Sequence, residues 1–127
     1  MTPLEIVCNL PNAVQAGDIS PQQLVGDSGI ENELSSLAAT SIAAILLTNL
    51  SLAEAWLRWS EDKRVSPGWF FLRENNGYFV GYSPDGPRFF FKDSVAACSE
   101  FIVREITAML QTMRANSVPK GTPLNVM

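Results

Sequence analysis

The stretch from Trp69 to Lys92 limits the possible folds more than any other part of the chain. It holds nine of the twelve aromatic residues, set out in three short runs, Trp69–Arg73, Tyr78–Tyr82 and Arg88–Phe91, with Asn75-Asn76-Gly77 and Pro84-Asp85-Gly86-Pro87 between them. Aromatic runs of this length, punctuated by Asn-Gly and Pro-Asp-Gly, are hairpin signals, and they predict a three-stranded antiparallel meander. Strand side chains alternate between faces. Whether Arg73 pairs with Tyr78 or with Val80, one face therefore carries Trp69, Phe71, Tyr78, Val80 and Tyr82. Pairing Tyr82 with Phe89 adds Phe89 and Phe91 to that face. The other face carries Phe70, Leu72, Phe79, Gly81 and Phe90, with Arg88 and Lys92 at its margin. Both faces are too apolar for a sheet half-exposed to water. We expect the N-terminal helices and the last helix to cover both, the alternative being an exposed aromatic docking surface.

Helical signals flank the meander on both sides. Pro3, Pro11, Gly17, Pro21, Gly26 and Gly29 crowd the first 29 residues and argue against a long element there. Ser20-Pro21 predicts one short helix through Leu24, and Leu4–Cys8 reads as a lead-in strand. From Ile30 to Thr48 the apolar residues Ile30, Leu34, Leu37, Ala38, Ile42, Ile45 and Leu46 recur at helical spacing and predict one core helix. Ser51-Leu52-Ala53-Glu54 fits a capping box opening a second helix to about Ser60, with Trp56 and Trp59 on one side. The Thr48-Asn49-Leu50 link would make the two an antiparallel hairpin. Glu61-Asp62-Lys63-Arg64 reads as a charged turn. Asp93 caps the last helix, whose stripe is Val95, Cys98, Ile102, Ile106, Met109 and Met113, widened by Phe101 and Leu110. Glu100 and Arg104 form an i,i+4 pair on its wet side.

A chain of 127 residues with 46% hydrophobic content has room for one core. We therefore expect an α+β fold with N-terminal helices, the meander, and a C-terminal helix packed on the sheet. Residues 1–115 form its single globular domain, and residues 116–127 a flexible C-terminal tail. Leu34–Ala53 is uncharged over a membrane-spanning length, yet it contains Ser35, Ser36, Thr40, Ser41, Thr48, Asn49 and Ser51 and lacks basic flanks, so it reads as buried helix. The first ten residues do not read as a secretory signal, and a cytoplasmic location is expected.

Charge divides the chain in two. Every Lys and Arg falls at Arg58 or later, so residues 1–57 carry Glu5, Asp18, Asp27, Glu31, Glu33 and Glu54 with no base, and the remainder is slightly basic. Such a chain is a poor ligand for nucleic acid and a fit partner for something basic. The formal net charge is −4 with no histidine at all, which removes Ser–His and Cys–His pairs, imidazole bases and His-ligated metals. Cys8 and Cys98 have no metal-ligand or redox spacing. Cys98 lies in an apolar helical stripe, and their separation leaves a disulfide between them open. The local carboxylate pairs Glu31/Glu33, Glu61/Asp62, Asp85/Asp93 and Glu100/Glu105 each have a structural role at hand. Gly77 and Gly81 lie inside a hairpin rather than at a helix start, so they are no phosphate loop. No catalytic residue, cofactor or metal is expected.

Three segments together carry a resemblance: Pro67-Gly68-Trp69-Phe70-Phe71, Gly77-Tyr78-Phe79-Val80-Gly81-Tyr82, and Phe91-Lys92-Asp93 leading into Ala96-Ala97-Cys98-Ser99-Glu100-Phe101-Ile102. Over about residues 67–106 the chain resembles the small immunity proteins of bacterial polymorphic-toxin and contact-dependent inhibition systems. The resemblance implies a non-enzymatic protein that binds and neutralises a cognate toxin domain one to one. The acidic segment Asp27–Glu33, with Asp27, Glu31 and Glu33, is the expected partner surface, joined by Glu54, Trp56 and Trp59: carboxylates for on-rate and register, aromatics for affinity. The alternative is a small-ligand-binding or regulatory domain with an aromatic pocket between sheet and last helix, lined by Trp69, Phe71, Tyr82 and Phe89. A secretion chaperone would more often be dimeric, and an enzyme would need a cleft around one of the carboxylates.

Overall fold

A computed structural model describes residues 1–17, 19–63 and 67–116. Among these residues six α-helices, one 3-10 helix and three strands follow one another: α1 (Pro3–Cys8), α2 (Leu10–Ala16), α3 (Pro21–Ser28), the 3-10 helix (Ile30–Ser36), α4 (Ala39–Thr48), α5 (Ser51–Lys63), β1 (Gly68–Glu74), β2 (Gly77–Ser83), β3 (Arg88–Phe91) and α6 (Ser94–Asn116). The fold is α+β, with N-terminal helices, a β1-β2-β3 antiparallel sheet and α6 packed on the sheet. The proposed tail from Ser117 onward lies outside the described residues, and Asn116 still belongs to α6.

The prolines of the N-terminal segment start helices instead of preventing them. Leu4–Cys8, expected as a strand, is the body of α1. Thr2 accepts from the Glu5 N–H, and the Glu5 carboxylate accepts from the Thr2 N–H, at 3.1 and 2.8 Å, with Pro3 in the first turn. This is a capping box with proline where its missing N–H costs nothing, and the backbone bond from Thr2 holds the Glu5 carboxyl below its ordinary range. Ser20 caps α3 as expected, and that helix continues past Leu24 to Ser28.

The apolar stripe from Ile30 to Thr48 is broken into two helices bent by 99°. Glu33 leaves helical geometry and Ala38 is extended, so the periodicity spans a bend because both pieces bury apolar residues, Ile30 in the first and Ile42 and Leu46 in the second. Among the described residues no single helix is long and apolar enough to cross a membrane. α4 packs mainly on α6 and only lightly on α5, so the expected hairpin is not the principal contact. The capping box expected at Ser51 is not formed. The Ser51 hydroxyl donates to the Asn49 side chain at 2.6 Å, while Glu54 reaches Arg73 on β1 at 2.7 Å. α5 then runs on to Lys63, absorbing Glu61, Asp62 and Lys63 of the expected charged turn, whose Arg64 lies outside the described residues.

Arg73 pairs with Tyr78, one of the two expected registers. The second hairpin is tighter than expected: Pro87 already stands opposite Tyr82, its C=O accepting from the Tyr82 N–H at 3.0 Å, so Phe89 pairs with Val80 and not with Tyr82. The shift is two residues, so both faces keep their membership. The inner face packs on α6. Phe71 and Val80 are fully buried there, and the Phe101 ring lies 5.7 Å from Phe71 and 5.9 Å from Trp56.

Among the described residues no helix covers the outer face, contrary to expectation, because α5 lies along the β1 edge, where the Ser60 hydroxyl accepts from the Phe71 N–H at 2.7 Å. The outer rings cover the sheet themselves. Phe70 lies over Gly81, Phe90 lies over Gly77 and against Phe79 at 5.2 Å, and the Arg88 guanidinium stacks 4.2 Å above Phe79. A Cβ on Gly81 would come within 2.6 Å of Phe70 and 2.8 Å of the Pro87 carbonyl. Gly81→Ala is therefore expected to cost roughly 1–3 kcal/mol, read as a lowered urea midpoint, because backbone as well as ring must move.

Candidate functional site

Two surface features stand out, an acidic edge and an aromatic cleft, and the sequence-nominated residues do not all belong to them. Asp27 closes the exposed side of α3, and Glu31 and Glu33 project from the 3-10 helix that follows. Their placement is built locally. Gly29 ends α3 in the left-handed region at φ 83°, open to glycine without strain. The Ser28 hydroxyl donates to the Val25 carbonyl at 2.7 Å and accepts from the Ile30 N–H at 3.1 Å, and Ile30 is fully buried. Among the described residues none forms an ion pair with Asp27, Glu31 or Glu33, and Leu34 beside them is 47% exposed. The result is a fixed acidic edge with an apolar neighbour.

The other nominated residues do not join it. Glu54 is exposed but held by Arg73 in a surface ion pair. Trp56 is fully buried, with its indole N–H donating to the Cys8 carbonyl at 2.9 Å. It is a core residue and cannot touch a partner, a correction that follows from its place on the side of α5 facing α6 and α1. Trp59 is half-buried, edge-on to Trp56 at 6.0 Å.

Trp59 belongs instead to a cleft between α5, α6 and the start of the sheet. The cleft measures about 410 Å3, and Trp59, Trp69, Tyr82 and Met109 form its walls above Lys63 and Glu105. Lys63 reaches both Glu105 oxygens at 2.8 and 2.7 Å, and the Trp59 indole N–H lies 3.3 Å from the second. Glu105 is 5% exposed, and every buried side-chain polar atom among the described residues has a partner. The aromatic pocket anticipated between sheet and last helix is thus present in altered form. Trp69 and Tyr82 line it, Phe71 is buried out of reach, and Phe89 lies under Arg104, whose guanidinium is 5.2 Å from its ring and 5.0 Å from Trp69. The Lys63–Glu105 pair was missed by sequence reasoning. Its signal was Glu105 falling on the apolar side of α6, between Ile102 and Ile106, where a carboxylate needs a partner.

Chemically the described residues offer little that is activated. No group of three His, Cys, Asp or Glu side chains among them is placed to hold a metal ion. Both cysteines are free and fully buried. Burial pushes the Cys8 thiol up to about 12 and the Cys98 thiol up as well, which keeps both protonated and unreactive. Iodoacetamide at pH 8 is expected to label neither thiol in the folded protein and both in urea. A raised pKa also fixes the sign of the pH effect. The Cys8 contribution to stability is whole below its ordinary value of 9.0 and is lost as pH rises toward about 12, so the urea midpoint should fall above pH 9.

Comparison of this chain with known protein families, with characterised proteins and with solved structures finds no match.

Proposed function

We propose that this chain is an immunity protein, a non-enzymatic inhibitor that binds a cognate bacterial toxin domain one to one in the cytoplasm and neutralises it. The observation that carries the reading is the acidic edge. Asp27, Glu31 and Glu33 are exposed, carry no counter-ion among the described residues, and are set by a buried anchor, Ile30, and a capped turn. Unpaired carboxylates in a fixed array speed encounter with a basic surface and set its register. Exposed Leu34 supplies the apolar contact beside them. With Trp56 in the core and Glu54 paired, the interface centres on residues 27–34.

The test is survival of cells expressing the C-terminal domain of the neighbouring open reading frame, which this reading expects to be toxic. Co-expression of the wild-type chain is expected to restore growth, whereas the triple variant Asp27→Lys, Glu31→Lys, Glu33→Lys, still folded by circular dichroism, is expected not to. Equal rescue by both would remove the acidic edge from the interface, and no rescue by either would remove the toxin pairing.

A second reading is favoured by the cleft: a small-ligand-binding or regulatory domain whose apolar, planar ligand lies between Trp59, Trp69 and Tyr82. Quenching of tryptophan fluorescence by a small molecule, abolished by Trp69→Ala, would support it.

A further inference from the structure

The two edges of the sheet are treated differently. On β1 the outward N–H of Phe71 is taken by Ser60 of α5. Because Phe71 points its backbone away from β2, alternation places the backbone of Val80 and Tyr78 toward β3 and that of their partners Phe89 and Phe91 toward β2. The Tyr82 N–H bond to Pro87 agrees with this parity. The N–H and C=O of Arg88 and Phe90, and the N–H of Lys92 just past the end of β3, therefore face away from the sheet, and among the described residues no strand pairs with that side. The same Phe90 presents a side chain 49% exposed on the outer face, continuous with half-buried Phe79, Phe70 and Leu72.

We propose that the β3 edge accepts an extended segment of a partner protein, added as a fourth antiparallel strand, with carboxylates flanking an apolar centre. Charge selects this occupant over a second copy of the chain. In a self-pairing centred on Phe90, Arg88 and Lys92 would stand opposite each other twice, and like charges directly opposed are destabilising. A foreign strand with acids at those positions gives Lys92 a counter-ion and gives Arg88, whose half-exposed guanidinium already meets Glu74 at 3.1 Å, a second one. Its central apolar residue meets Phe90, and its intervening side chains meet Phe89 and Phe91 on the inner side. Strand addition draws its affinity from main-chain hydrogen bonds and its selectivity from alternate side chains. This surface is distinct from the acidic edge, and the inference does not rest on the immunity reading.

The test uses amide hydrogen exchange on the full chain with a probe peptide, acetyl-Thr-Glu-Val-Ile-Val-Glu-Thr-amide, at millimolar concentration, against the same peptide with both Glu replaced by Lys. The acidic peptide is expected to slow exchange at the Arg88, Phe90 and Lys92 amides by about tenfold or more, leaving Phe89 and Phe91 nearly unchanged. The lysine peptide is expected to need about tenfold more material for the same effect. Phe90→Thr, which keeps the N–H, should retain the pattern at its neighbours. Phe90→Pro, which compared with Phe90→Thr also removes the outward donor, should abolish binding while the Tyr78 and Val80 amides stay protected. If the proline variant fails to fold, the wild-type amide pattern decides alone. No slowing at the outward amides, equal response to both peptides, or concentration-dependent protection of these amides without peptide would overturn the proposal.

Discussion

Trp56→Ala is expected to destabilise the protein by roughly 3–5 kcal/mol, a large share of the 5–15 kcal/mol typical of a domain. The indole is fully buried and meets Phe101 at 5.9 Å and Trp59 at 6.0 Å. Truncation leaves a cavity where those rings meet, and it strips the Cys8 carbonyl of its donor. Trp59→Ala, at a half-buried position on the cleft, should cost clearly less. Urea denaturation of the two variants separates the outcomes. Equal losses would mean that the core is not organised around Trp56. Because Trp56 has no surface, the protein that remains folded should bind any partner with wild-type affinity.

The second large effect concerns the pair beneath the cleft. Lys63→Met leaves the Glu105 carboxylate 5% exposed with only the Trp59 indole N–H beside it. Removing one partner of a buried ion pair typically costs about 3–5 kcal/mol, and the 18% exposure of the lysine side chain places this case toward the lower end. The double replacement Lys63→Met, Glu105→Leu removes both charges and should recover most of the loss, since apolar groups of similar size avoid the desolvation of two ions. The measurement is the double-mutant cycle in urea. Additive losses would show that the two side chains are not coupled. If the cleft serves a ligand through this pair, the double variant would keep its stability and lose the ligand.

How far the sequence reveals this molecule depends on which signal is strong where. Turn chemistry at Asn75-Asn76-Gly77 and Pro84-Asp85-Gly86-Pro87 defines three strands and their faces, because alternation survives a two-residue register shift. Asp93 capping α6 and the Glu100–Arg104 pair are local and legible. The first helix is legible too, in Thr2-Pro3-Leu4-Glu5, because a proline in the first turn completes a cap as readily as it breaks an element. Periodicity does not distinguish a straight helix from two bent ones when both bury the same stripe, as from Ile30 to Thr48. Coverage of a sheet face is a tertiary matter. Nothing local to Phe70 or Phe90 says that glycines beneath them let the rings lie flat against the backbone. Within the candidate site, Asp27, Glu31 and Glu33 were legible as an acidic run. The burial of Trp56 and the partners of Glu54 and Glu105 depend on which helix faces which.

The proposed capture of a basic toxin domain by the acidic edge makes binding depend on salt. Titration calorimetry of the purified chain against the C-terminal domain of the neighbouring open reading frame, at about 50 and 500 mM salt, tests this dependence. The expected result is one-to-one binding that weakens steeply with salt, and a loss of about tenfold or more in affinity when Asp27, Glu31 and Glu33 are reversed to lysine. Tight binding indifferent to both salt and the triple reversal would contradict it.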